Sequence, residues 1–178
     1  MEDEADAMLF KKLFVDQLMG DIDLLLANER MTGAIQLMLC TMDIMAYLDM
    51  PAGQAVNYGK DFISWIEKYF MNDAYKEILP KEFYGLRCGL LHSYTLESTV
   101  SMETNRHLGF YWGRFRGPVF KHTDHPELLT LSVQIFRDSL LAAIVSFIET
   151  FKDDHDQVKR QLVHDRMKKM VQTLTIER

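Results

Sequence analysis

Phe83-Tyr84-Gly85-Leu86-Arg87-Cys88-Gly89-Leu90-Leu91-His92-Ser93-Tyr94 places an arginine, a thiol and an imidazole on one predicted helix, with two glycines inside it. A glycine in a helix interior costs roughly 1 kcal/mol against alanine, so the pair at Gly85 and Gly89 implies that something approaches this backbone closely. On a helical wheel taken from Arg87, Phe83, Leu86, Leu90 and Tyr94 fall within about 80° and define the face toward a core. His92 falls at about 140°, with Gly85 and Gly89 beside it at about 160° and 200°. Histidine and glycines therefore share a side away from the core, a side that suits a partner chain or a ligand phosphate. Arg87 and His92 are five apart, about 7.5 Å along a straight α-helix, too far to meet on one atom within that helix. A two-fold dimer packed through Gly85 and Gly89 would set two arginines and two histidines across one cleft.

Outward from this stretch the chain is helical. Before it, Phe10, Leu13, Phe14, Leu18, Ile22 and Leu25 recur at spacings of three and four, marking an amphipathic helix over about Glu4 to Ala27. A second helix runs from an N-cap at Thr32 to about Leu48, with Ile35, Met38, Met42, Met45 and Ala46 inward. Pro51-Ala52-Gly53 separates it from a third, about Tyr58 to Met71. Pro80 opens the fourth helix, which carries the central stretch. Short connections favour antiparallel neighbours, hence an all-α antiparallel bundle.

After Leu96 the pattern changes. Three glycines, Pro118 and a concentration of β-branched and aromatic residues predict a long β-hairpin-like insertion around residues 97–125. Helical spacing returns with Leu128, Leu131, Ile135, Phe136, Leu140, Ile144, Phe147 and Phe151, a long buried helix. A last helix, about 154–174, is thinner in apolar residues, with Val158, Leu162, Met170 and Leu174 on one stripe, and is peripheral or packs on a partner.

The 178 residues and 48% apolar content suit a single domain with a sizeable core. No run reads as eighteen or so consecutive apolar residues, and the acidic start Met1-Glu2-Asp3-Glu4 is unlike a secretory leader. Only Cys40 and Cys88 are present, too few for a disulfide framework. Together these imply a soluble cytoplasmic protein. A net charge of -6 argues against nonspecific coating of nucleic acid. Yet between Thr104 and His122 the chain holds four basic residues and no acidic one.

That basic segment, Arg106-His107-Leu108-Gly109-Phe110-Tyr111-Trp112-Gly113-Arg114-Phe115-Arg116 and on to Lys121, interleaves cations with rings. Bases stack on such rings while arginines hold the backbone, which makes Arg106, Tyr111, Trp112, Arg114, Arg116 and Lys121 candidates for RNA binding. The competing expectation is a hairpin whose rings pack on the bundle and whose cations pair with surface carboxylates. Cys88 and His92, one helical turn apart, form a candidate thiol-imidazole dyad, although a mid-helix cysteine is more often a packing residue. His122 and His125 lack the cysteine pair or HExxH pattern that would complete a zinc set, so no metal site is assigned.

Arg87, four intervening residues and His92, late in a helical hairpin of an all-α chain, resemble the Arg-x(4-6)-His motif of the HEPN superfamily (higher eukaryotes and prokaryotes nucleotide-binding domains). The resemblance covers roughly Glu4 to Phe151 in helix order and rests on that one motif. It implies a metal-independent endoribonuclease without cofactor, of the kind found in toxin-antitoxin and abortive-infection systems. It also implies a homodimer with a shared cleft and, in some members, an antitoxin or nucleotidyltransferase partner. Carried over, His92 is the acid or base at the ribose 2'-hydroxyl or leaving oxygen, and Arg87 stabilises the phosphate. The family usually has a polar residue directly after the arginine. Here Cys88 stands in that place, which leaves open a non-catalytic module that binds a partner protein or nucleotide through the same face.

Overall fold

The computed structural model describes residues 8–54, 56, 58–113, 117–153 and 157–170. Helix α1 begins as a wide π-helical stretch, Lys11–Leu18, and continues as an α-helix, Met19–Ala27. Helix α2 spans Met31–Asp49, and α3 spans Gly59–Trp65 with a π-helical end, Ile66–Phe70. Helix α4 spans Pro80–Cys88 and runs into a π-helical turn, Gly89–Ser93. A short helix, α5 (Thr99–Thr104), precedes strands β1 (His107–Tyr111), β2 (Val119–Lys121) and β3 (Leu128–Ser132). Helices α6 (Val133–Asp153) and α7 (Gln157–Lys169) complete the described chain. The protein is therefore mainly helical, with one small sheet.

Helix α2 is the centre of the bundle, in contact with α1, α3, α6 and α7. Ile35, Met38, Met42, Met45 and Ala46 on it are buried, as the helical spacing predicts, and Ala34 and Leu39 are buried with them. By length and composition α2 would also be apolar enough to cross a membrane, a run the sequence reading passed over; half of that window is buried inside the bundle. Phe70 of α3, Tyr75, Phe83 of α4 and Phe136 of α6 form an aromatic core, with ring centroids 5.2 Å apart for Phe70–Tyr75 and 5.3 Å for Phe70–Phe83. Phe110 of β1 joins it edge-on at 5.1 Å from Phe136, which fixes the sheet to the helices.

The predicted insertion takes a different form. Residues 99–104 are helical because Ser98 and Ser101 cap each other: Ser101 N donates to Ser98 Oγ at 3.1 Å and Ser98 N to Ser101 Oγ at 2.8 Å. β1 and β2 do not pair with each other. Both pair with β3, in the order β1-β3-β2, parallel through His107↔Leu128 and antiparallel through Phe120↔Thr130. The hairpin is thus β2–β3, and the residues expected to begin the long helix are its central strand. A short apolar run such as Leu128-Leu129-Thr130-Leu131 is as compatible with a buried strand as with a helix.

Helix α7 docks only in part through the stripe its apolar spacing predicts: Met170 packs against the core, and Leu174 lies outside the described residues. Val158 is 69% exposed, whereas Val163, Arg166 and Met167 are buried. Arg166, 4% exposed, donates to the carbonyls of Leu48 (3.0 Å), Met50 (2.5 Å) and Pro51 (2.8 Å). These acceptors lie at the C-terminal end of α2, where carbonyls lack helical partners. A cation thus takes a buried position that hydrophobic patterning reserves for an apolar side chain.

Candidate functional site

Proline at the first turn and Glu82 start α4: the Glu82 carboxylate accepts from Leu79 N at 2.7 Å. At its other end the helix widens at Gly89, and Thr95 N reaches back to Gly89 O at 3.2 Å. Tyr94, with φ 57°, ends the helix in the left-handed region and stands exposed rather than in the predicted core face.

The chain then folds back over the glycine side. A Cβ on Gly89 would lie 2.6 Å from Thr95 O and 2.8 Å from Glu97 O; one on Gly85 would lie 2.8 Å from Ser98 Oγ and 2.9 Å from Val100 Cβ. The close approach expected from the two glycines is present, but it comes from residues 95–100 of the same chain. Gly85 and Gly89, the candidate dimer-interface residues, are both buried there by their own chain.

Arg87 and His92, held apart by a regular α-helix, meet in this one: Arg87 Nη1 and His92 Nε2 are 3.1 Å apart. The wide turn is responsible, because closing hydrogen bonds over five residues instead of four stacks positions five apart. Guanidinium only donates, so His92 accepts through Nε2 and carries its proton on Nδ1 in this arrangement. On its other side Arg87 Nε donates to Asp43 Oδ2 of α2 at 2.7 Å. Arg87 Nη1 also lies 3.9 Å from Cys88 Sγ. His92 is exposed, while Arg87 and Asp43 are about one-fifth exposed. The outcome is a row, Asp43–Arg87–His92, with its histidine end open to solvent.

Burial pushes the Asp43 carboxyl up, and the hydrogen bond and charge of Arg87 only partly oppose this. For Arg87, burial works against the charge, but the hydrogen bond and charge of Asp43 prevail and raise its pKa further. Tyr84 is raised first by its hydrogen bond with Cys88 and then by burial. Cys88 thus lies between Tyr84 and Arg87, and His92 has Arg87 rather than Cys88 as its ring partner. The candidate thiol-imidazole dyad is not assembled.

The basic segment is arranged otherwise. Arg106 Nε pairs with Glu82 Oε1 at 3.3 Å and its Nη2 donates to Glu77 O at 2.9 Å. Lys121 pairs with Glu77, and the Tyr111 hydroxyl donates to Gly117 O. The Arg106 and Lys121 contacts tie the sheet to the N-terminal turn of α4 and the loop before it, at the far end of that helix from His92. Trp112 is 54% exposed. Arg114 and Arg116 lie outside the described residues. His122 and His125 contact Thr130 and Glu127. Among the described residues no group of three or more His, Cys, Asp or Glu gathers at metal-binding distance.

Asp43 is the site residue that sequence reasoning missed. Its signal is a carboxylate set inside an apolar run of α2, Met42-Asp43-Ile44-Met45. Charge in such a setting needs a partner, and here the partner lies 44 residues away. No protein-family model matches the chain, and no significant match to it is found among curated proteins or solved structures.

Proposed function

We propose that the chain is a metal-independent endoribonuclease of HEPN type, with Asp43, Arg87 and His92 as its site. The observation that carries the proposal is the 3.1 Å contact between Arg87 Nη1 and His92 Nε2 at an exposed helix end. Asp43 engages Nε of the guanidinium and leaves its Nη groups to face a phosphate. When a phosphodiester takes those donors, the Nε2 lone pair of His92 is released for the ribose 2'-hydroxyl. His92 removes that proton, the 2'-oxygen attacks phosphorus, and the P–O5' bond breaks. The leaving 5'-oxygen gains a proton, giving a 2',3'-cyclic phosphate and a 5'-hydroxyl. Arg87 stabilises the charge that builds on the phosphoryl oxygens. A homodimer, as the resemblance implies, would bring a second Arg87–His92 pair and with it a second imidazole to serve as acid.

Purified protein incubated with mixed RNA in EDTA tests this. Cleavage with cyclic-phosphate ends, lost in Arg87→Ala and in His92→Ala, supports the enzyme. Intact RNA at high protein concentration supports the second reading, a non-catalytic HEPN-like module. Cys88 is the observation that favours this second reading, since it stands where the family carries a polar residue. Sedimentation equilibrium reads the oligomeric state in the same preparation.

A further inference from the structure

A cavity of about 500 Å³ opens between α1 and α2 and shares Asp43 with the Arg87–His92 row. Its walls are apolar, from Leu13 and Leu18 of α1, Ile44 of α2 and Met170 beyond α7. Its polar groups are the carboxylates of Asp21 and Asp43, the Gln17 amide and Tyr47. Concave, mostly apolar sites of roughly 300–1,000 Å³ with a few converging polar groups are the usual form of a small-ligand pocket.

Two carboxylates with neither lysine nor arginine in the lining make this an acceptor-rich pocket. It rejects phosphate and suits a flat, weakly polar group that presents adjacent N–H donors. A nucleobase has flat faces for the Leu13 and Ile44 walls, and guanine presents N1–H and N2–H side by side, the spacing of one carboxylate. Asp43 lies both in this cavity and against Arg87, so the cavity adjoins the Arg87–His92 row.

We infer that the cavity is a base subsite, selective for guanine over uracil, at the site of phosphodiester cleavage. This rests on the proposed ribonuclease reading and assigns its specificity. Asp21 supplies the selective acceptor, while Asp43 remains engaged with Arg87.

The test is calorimetric titration of the full chain with the 3'-monophosphates of guanosine, adenosine, cytidine and uridine. Guanosine monophosphate is expected to bind roughly ten- to a hundredfold tighter than uridine monophosphate, the range of one bidentate base contact. Asp21→Asn, a surface substitution, should remove most of that preference, and Ile44→Trp, which fills the cavity, should weaken all four. Equal affinities in the unaltered chain, or a preference that persists in Asp21→Asn, would overturn the inference. Cleavage of mixed RNA after all four bases alike also overturns it while leaving the endonuclease intact. Guanine-selective binding without RNA cleavage leaves the subsite standing and removes the enzyme.

Discussion

Two parts of the chain carry arginines among aromatic or polar neighbours, the end of α4 and the segment from Arg106 to Lys121, and the structure treats them differently. At the end of α4 the charge of Arg87 is held by a half-buried carboxylate and still turns an Nη group toward an exposed imidazole. In the segment, Arg106 and Lys121 are matched to Glu82 and Glu77 and fasten the sheet to the helices. Local charge density is higher in the segment, yet among the described cations it is Arg87, at the helix end, that faces an exposed imidazole. A cluster is poised when its acceptor needs are only partly met within the chain, and a run of cations with matched carboxylates is already satisfied.

The contrast breaks most directly at the two arginines. Arg87→Ala should reduce RNA cleavage by about 10²- to 10⁴-fold, the range for one transition-state donor or acid-base group. Arg106→Ala should leave cleavage within about tenfold of the unaltered protein and act mainly on the melting temperature. Equal losses of activity in the two variants, measured on one RNA, would erase the distinction.

Gly89→Ala comes next, and it sharpens the role of the wide turn. Its Cβ would meet two backbone oxygens at 2.6 and 2.8 Å, so neither neighbour can rotate away. The expected cost is about 1–3 kcal/mol of stability in urea unfolding, with loss of the Arg87–His92 contact. Gly85→Ala meets side-chain rather than backbone atoms, Ser98 Oγ and Val100 Cβ, and should cost less. A Gly89→Ala protein as stable and as active as the original would show that the closure over residues 95–97 is incidental.

The smallest effects are in pH dependence, and the two carboxylates should differ in sign. Asp43 is raised by burial, so it binds protons more readily folded than unfolded; its contribution grows as pH falls and is lost as pH rises through the folded pKa. Glu77 is lowered by its hydrogen bond and pairing with Lys121, so its contribution is present above the ordinary carboxylate range and is lost as pH falls through the folded pKa. Urea unfolding of Asp43→Asn and Glu77→Gln against the parent, from neutral pH to below 4, should show stability differences that change in opposite directions. Parallel changes would mean that Asp43 is no more strained than a surface acid.

Much of the helical framework was legible from periodicity, because residues three and four apart must share a buried face whatever that face packs on. The buried methionines of α2 follow from that rule, and the start of α4 at Pro80 from proline's fit to a first helical turn. The strand at Leu128–Ser132 did not, since five residues cannot distinguish a strand from a helix start, and its position between β1 and β2 depends on residues far along the chain. Part of the docking face of α7 was hidden for another reason. Arg166 is drawn inward by three carbonyls of the α2 end, a demand that no pattern within α7 records.

The central stretch divides in the same way. Sequence alone determined that Arg87, Cys88 and His92 share one helix and that Gly85 and Gly89 admit a close neighbour, because helix geometry and the lack of a Cβ are local properties. Only the tertiary structure decided that the neighbour is residues 95–100, that a π-helical turn closes the gap to His92, and that Asp43 stands behind Arg87. Each of these depends on which distant segment arrives to satisfy a backbone or a charge, and that is settled by packing.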